Sequence, residues 1–202
     1  MPLLRHPAVV ETANDLLPEA RRLLDDETAK LGQAVSCRPR CSTCCNHEVW
    51  ITAAEHRDVE HAIDALPDAV QDRIRTRARA ISERLQDAGA ADWPMEDHAM
   101  RYFGLGEPCP LLVDEVCAVR DVRPLVCRNY IVSSDPAECT DPSSERFVRI
   151  RRRYPVVRGF DAITEVFGET KTSLIDALLT SAPAPITERH AGGALAEHLV
   201  RG

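Results

Sequence analysis

Four cysteines crowd into residues 37–45, and four more are spread over residues 109–139. The first group reads Cys37-x3-Cys41-x2-Cys44-Cys45, and the second consists of Cys109, Cys117, Cys127 and Cys139. Thiolates two or three residues apart can converge on one metal, because a tight turn brings both sulfurs to one point. Four such donors complete a tetrahedral zinc site or hold an iron–sulfur cluster. The pattern therefore predicts a metal site in an irregular, cysteine-bearing centre.

Cysteine usage and the start of the chain bear on the compartment. Eight cysteines in 202 residues are too few for a disulfide-stapled secreted mini-protein. The start, Met1–His6, is soon followed by acidic residues and lacks the long apolar stretch of a signal peptide. No window approaches the apolar length of a membrane span. We therefore expect a cytoplasmic protein with no membrane partner, in which reduced thiols bind metal more often than they pair.

Charge argues against nucleic acid as a partner. The formal net charge is −7, whereas a nucleic-acid binder needs a broad basic face with stacking aromatic residues. One basic stretch, residues 146–158, holds six arginines, with only Phe147 and Tyr154 beside them. We interpret it as the solvated face of a helix. A phosphate-binding patch, or charges that offset an anionic metal–thiolate centre, are the alternatives.

Apolar periodicity predicts a mostly α-helical chain. Pro18 divides or restarts a first helix over residues 8–35. Thr52 and Glu55 form a capping-box pattern that opens a helical hairpin, and Gly89 is its expected C-terminal cap. Further helices are expected around 96–103, from Asp141-Pro142 onward, and at about 161–181 and 187–200.

On the hairpin, Val59, Ile63, Ile74 and Ile81 are expected to face inward. His56 and His61 are expected to be exposed, and Arg73, Arg75, Arg77, Arg79 and Glu83 to point outward. We predict one domain over residues 1–202, with a cysteine core at about 37–130 and helical flanks at 1–36 and 140–202. Its fold class is mostly α, a helical bundle around an irregular, metal-stapled centre with little or no sheet.

Two sequence blocks resemble a known family. After the first cysteine group comes Val49-x-Ile51-Thr52-x-x-Glu55. The second block reads Gly106-Glu107-Pro108-Cys109-Pro110-Leu111-Leu112, then Cys117, then Arg123-Pro124-Leu125-Val126-Cys127-Arg128-x-Tyr130. Both are similar to the CxxCxxCC cysteine-cluster family, whose members are described as zinc- or iron-chelating proteins. The three residues between Cys37 and Cys41 depart from the two that the family name implies.

The resemblance implies a set of metal ligands. They are Cys37, Cys41, Cys44, Cys45, Cys109, Cys117 and Cys127. Cys139 lies outside the blocks and is either an eighth ligand or a buried bystander. Flagellin lysine N-methylases share the cysteine motif and depend on an iron–sulfur cluster, so an iron–sulfur cofactor is expected here, with a 4Fe-4S cluster favoured and zinc as the other possibility.

Three side chains near the cysteines are further candidates. Arg123 and Arg128 are expected to bind the cofactor by reaching a cluster sulfur, with a plain salt bridge to Asp121 or Asp114 as the alternative. His47 is either a ligand or a capping histidine.

Function is expected to follow from the metal. One hypothesis is a metalloprotein in redox chemistry, sensing or metal handling, and another is an enzyme in which the cluster supports modification of a partner. The alternative is a zinc-stapled all-α interaction module without catalysis, which docks a protein on its acidic flanks. The spacing Cys37-x3-Cys41-x2-Cys44 also occurs in radical S-adenosylmethionine enzymes, but a short helical chain has no room for their barrel.

Overall fold

The computed structural model describes residues 13–141, 143–152, 156–166 and 168–184, which are mostly helical as the sequence predicts. Its α-helices are α1 (Leu17–Leu31), α2 (Ala53–Asp64), α3 (Asp68–Asp87), α4 (Met95–Gly104), α5 (Leu125–Asn129), α6 (Val156–Val166) and α7 (Leu174–Ala177). Its strands are β1 (Trp50–Thr52), β2 (Leu112–Val113), β3 (Val116–Cys117) and β4 (Lys171–Ser173). The predicted helix at 187–200 and residues 8–12 lie outside the described residues.

Helix α1 begins where Pro18 permits it. A 3-10 turn, Ala13–Leu16, precedes α1, and Pro18 occupies the first turn of α1, where its missing N–H costs no hydrogen bond. This confirms the predicted restart. The apolar face of α1 packs against residues from α2, α5 and α6, namely Ala54, Leu125 and Phe160.

Helices α2 and α3 form the predicted hairpin. The Thr52 hydroxyl accepts from the Glu55 N–H, and the Glu55 carboxylate accepts from the Thr52 N–H, which confirms the capping box. The buried faces of the two helices contribute Val59, Ile63, Ile74 and Ala78 to the largest apolar cluster. Gly89 follows the end of α3 with φ +66°, a conformation that favours glycine.

Three polar residues of the hairpin are buried or bonded rather than outward, so the prediction was wrong for them. His56 is 2% exposed and lies 3.7 Å from Glu60. Arg75 pairs with Glu60 and donates to the Leu178 carbonyl, and Arg77 donates to the Leu112 carbonyl at 2.7 Å. The Leu178 and Leu112 carbonyls come from distant segments, which helical periodicity cannot reveal.

In the described part of the chain, sheet structure is confined to two small antiparallel pairs, which agrees with the prediction of little sheet. Strand β1 pairs with β4, with Trp50 opposite Ser173, and β2 pairs with β3. The single helix predicted at 161–181 was wrong. Helix α6 ends at Val166, Gly168 adopts φ +71°, and the chain then extends as β4 because it pairs with β1.

The helix expected after Asp141 was also wrong. The Asp141 carboxylate accepts from the Ser143 N–H, which makes a local turn rather than a helix cap. The chain then runs antiparallel to residues 131–133, with a bridge between Val132 and Arg149. Within this stretch the basic-face interpretation fails for Arg152, whose side chain is 3% exposed.

Arg152 connects three parts of the fold. Its guanidinium donates to the Leu24 carbonyl and the Thr28 hydroxyl on α1, and to the Arg128 carbonyl on α5. Burial lowers the pKa of Arg152, although the nearby Glu27 carboxylate opposes that shift.

None of the described helices is long and apolar enough to cross a bilayer.

Candidate functional site

The first cysteine group sits on a reversed loop and a short turn. Arg40 adopts a positive φ of 70°, and the Cys41 N–H donates to the Arg38 carbonyl, so the chain turns between Cys37 and Cys41. This turn spans the three residues that separate the two cysteines. A 3-10 turn, Thr43–Asn46, then carries the adjacent pair of cysteines.

The second group begins in a tight hairpin. Asp114 and Glu115 both have positive φ, 49° and 65°, as a two-residue connection between β2 and β3 requires. The hairpin holds Cys117 opposite Leu112, and the Leu112 N–H donates to the Cys109 carbonyl. The Cys109 N–H in turn donates to the Cys45 carbonyl at 2.7 Å. That bond joins the two cysteine groups directly.

Cys127 lies on α5, and Glu55 holds the start of this helix. The sequence predicted only a helix-capping role for Glu55. One Glu55 oxygen accepts from the Leu125 N–H at 2.8 Å, and the other accepts from Thr52. Glu55 therefore couples the start of α2 to the helix that carries Cys127. Its position in a capping box predicted the local bond, but nothing in the sequence indicated the distant one.

The structure brings five thiols together, which we call the thiol cluster. Its members are linked by electrostatic interactions, and Arg123 acts on three of them, Cys44, Cys117 and Cys127; the other two are Cys45 and Cys109. Cys37, Cys41 and Cys139 form an adjoining group, of which Cys37 and Cys139 lie within electrostatic range of Cys44. Cys139 is buried on the 3-10 turn Pro136–Thr140. All seven cysteines of the family pattern, and Cys139 as well, therefore occupy one region.

Protonation differs sharply across the thiol cluster. Burial raises the pKa of Cys109 to about 12 and that of Cys127 well above its ordinary value. The hydrogen bond from the Cys45 thiol lowers the pKa of Cys44 to about 7, with Arg123 adding a favourable charge. The pKa of Cys45 is raised because that same bond holds its proton. Cys44 is thus the thiol of this pair that ionises first.

In reduced, metal-free protein we expect iodoacetamide to alkylate Cys44 before the other members of the thiol cluster. The rate should rise through about pH 7, because the thiolate is the nucleophile. Peptide mass spectrometry over a time course measures this. Arg123→Gln should move the profile to higher pH, since it removes an attractive charge. Alkylation of Cys117 or Cys127 ahead of Cys44 would contradict the assignment.

The two arginines proposed as cofactor ligands have different surroundings. Arg128 is buried and donates to both carboxylate oxygens of Asp25 and to the carbonyls of Arg120, Asp121 and Arg123. Its salt-bridge partner is therefore neither Asp121 nor Asp114. The Arg123 charge lowers the pKa of Cys44, Cys117 and Cys127, although burial has the larger effect on the last two. Of these two arginines, Arg123 is thus the one whose charge acts on more of the sulfurs.

His47 belongs to an aromatic group beside the cysteines. Its ring lies 4.8 Å from Phe103 and 5.3 Å from Tyr130, between ring centroids, and its Nε2 is 3.4 Å from the Tyr130 hydroxyl. Burial lowers the pKa of His47, and the charge of Arg149 contributes to that shift. These contacts explain the position of the His47 ring by packing against its aromatic neighbours.

The donor chemistry of the site fits a thiophilic metal, but the present side-chain positions do not form a ligand set. All eight cysteines, each of them described, are free thiols. Across the described residues, no three Cys, His, Asp or Glu side chains lie close enough together to hold an ion. Binding would thus require thiol rotation and deprotonation within the cluster. No family model, curated protein or solved structure matches the chain.

Proposed function

We propose that this chain binds a thiophilic metal, either as an iron–sulfur cluster or as zinc, through the thiolates of its two cysteine groups. One observation carries the proposal: three separate segments, held by a loop, a hairpin and a helix start, bring five free thiols together beside Arg123. The Cys45–Cys109 backbone hydrogen bond fixes two of these segments to each other. Thiolates are the preferred protein ligands of both metals.

The proposed ligands are the seven cysteines of the family pattern, with the thiol cluster as their core. Cys139 is added as a candidate eighth, because it lies within electrostatic range of Cys37, Cys41 and Cys44. A bound cluster would supply one-electron chemistry, and Arg123 would offset part of its negative charge. The role is then redox chemistry, metal handling or cluster-dependent modification.

The alternative is a structural zinc site without catalysis, and the packing of three cysteines favours it. Cys109, Cys117 and Cys127 pack against the largest apolar cluster, next to Leu111 and Val119. A metal held by these thiols would attach short elements to the core, including a hairpin with two-residue strands and a five-residue helix. Its removal would then reduce stability rather than abolish a redox signal.

Elemental analysis of the full chain, purified without oxygen, tests the proposal. Iron with inorganic sulfide and a visible absorption band would support the iron–sulfur cofactor, and tightly held zinc in a colourless protein would support the structural alternative. Protein that takes up neither metal, even after reconstitution with ferrous iron and sulfide or with zinc, would overturn both.

We expect Cys127→Ser to lose most of the bound metal, because serine does not replace a thiolate ligand. Cys41→Ser, in a partly exposed turn, tests the first group with less risk to folding. Ala118→Ser is the matched control, since it places a hydroxyl next to Cys117 and removes no thiol. Metal-to-protein ratio and far-ultraviolet circular dichroism are measured together. A wild-type ratio in both cysteine variants would contradict the assigned ligands.

A further inference from the structure

A cavity opens between α1 and the segment that leads into α5. Its volume is about 350 Å³, and its walls are formed by Asp25, Arg120, Asp121, Arg123 and Arg128. We call it the arginine cavity. Its size lies at the lower end of the range for small-molecule sites, so it can admit a small ligand with one or two charged groups.

The charges of the arginine cavity do not cancel. Arg128 is engaged by both oxygens of Asp25 and by three carbonyls, so this pair of charges is mutually satisfied. Among the described residues, the side chains of Arg120 and Arg123 make no hydrogen bond or ion pair. Two arginines without a side-chain partner therefore line the cavity, and a single carboxylate, that of Asp121, remains to offset them.

Arg123 also has an unmet hydrogen-bonding requirement. Its Nε is buried and has no acceptor in the described part of the chain. A buried donor without a partner costs about 1–3 kcal/mol, and more when it is charged. The nearby thiols are weak acceptors while they are protonated, so they do not meet this requirement. A carboxylate or phosphate does, because its oxygens match the planar fork of a guanidinium.

We propose that the arginine cavity binds a small anion through a carboxylate or phosphate group held by Arg123 and Arg120, beside Cys117. Arg128, fixed by Asp25, lines the same space and holds the carbonyls of both neighbouring arginines in place. Asp121 weakens the binding of simple anions, because it places a like charge at the rim. The proposal does not depend on the metal, since every group it uses is present in the free chain.

Isothermal titration calorimetry of the full chain tests this, with inorganic phosphate in one arm and malonate in the other. Saturable binding of one equivalent is expected, and the tighter arm identifies the preferred group. Arg123→Gln and Arg120→Gln should each weaken binding by about tenfold, since each removes a charge-assisted contact. Asp121→Asn should tighten it, because a repulsive charge is lost. Arg79 is an exposed arginine on α3 that does not line the cavity, so Arg79→Gln should leave the affinity unchanged.

Arg120→Gln and one further variant, Arg123→Lys, guard against a folding artefact. Arg120 is exposed, so its replacement keeps the test valid if Arg123→Gln unfolds. Arg123→Lys should bind more weakly than wild type but more tightly than the glutamine variant, because it retains the charge without the fork. The proposal is overturned by an absence of saturable binding in both arms, by equal affinity in Arg120→Gln, or by an equal loss in Arg79→Gln. Metal content, measured on the same samples, reports separately on the proposed metal site.

Discussion

Replacing Arg128 with alanine is expected to lower the free energy of unfolding by about 3 kcal/mol, with a fall in Tm of roughly 6–12 °C. The guanidinium donates to three backbone carbonyls that precede α5 and pairs with Asp25 on α1. Its loss leaves those carbonyls without this donor and removes the ion pair that joins α5 to α1. Urea unfolding followed by circular dichroism measures the change.

Asp25→Asn is the matched control for Arg128→Ala. Its carboxylate is 58% exposed, so losing the ion pair alone should cost at most about 1 kcal/mol. Arg128→Lys should fall between the two, because one ammonium cannot reach all the acceptors of a guanidinium. Equal destabilisation by Asp25→Asn and Arg128→Ala would show that the ion pair, rather than the carbonyl contacts, holds the segment.

Glu55→Ala is expected to have a similar effect, a loss of about 3 kcal/mol. The change removes the acceptor of the Thr52 N–H and of the Leu125 N–H, both in buried surroundings, and leaves a cavity at the junction of α2 and α5. Thermal unfolding of the purified variant is the measurement. Glu48→Ala, on a carboxylate paired with His98 outside the hairpin, serves as the comparison.

Glu55 also gives the stability a dependence on pH whose sign can be stated. Burial raises the pKa of Glu55 above its ordinary value of 4.5, against the opposing effect of its hydrogen bonds. The folded state therefore binds the proton more tightly than the unfolded chain does. The stabilisation from this linkage is complete below pH 4.5 and is lost as the pH rises through the raised pKa. Glu55→Gln should flatten the stability profile in that window, and an unchanged profile would refute the role of this carboxyl.

The sequence predicted the parts of the fold that depend on neighbouring residues. The restart of α1 at Pro18 and the capping box of α2 each involve positions three or four residues apart, so their physical cause is contained in a short window. The helix expected after Asp141 failed in the same kind of window. An aspartate with a serine two positions further on bonds its own turn as readily as it caps a helix.

The errors elsewhere come from distant partners. Arg152 resembled a solvated charge because its acceptors lie on α1, more than a hundred positions away. The segment over 171–173 resembled a helix because its pairing partner is β1. At the site, cysteine spacing could not show that Glu55 holds the start of α5 or that Asp25 and three backbone carbonyls engage Arg128.

The connection between β1 and the segment around β4 has a consequence for synthesis. Glu169 caps the Ala54 N–H from 115 positions further along the chain and pairs with Arg57. During translation at about 5–20 residues per second, α2 and the cysteines that precede it leave the ribosome several seconds before these partners exist. Cys109 and Cys127 follow Cys45 by 64 and 82 positions, so the first four thiols also spend several seconds without them. The early thiols are thus exposed in the nascent chain before the core assembles around them.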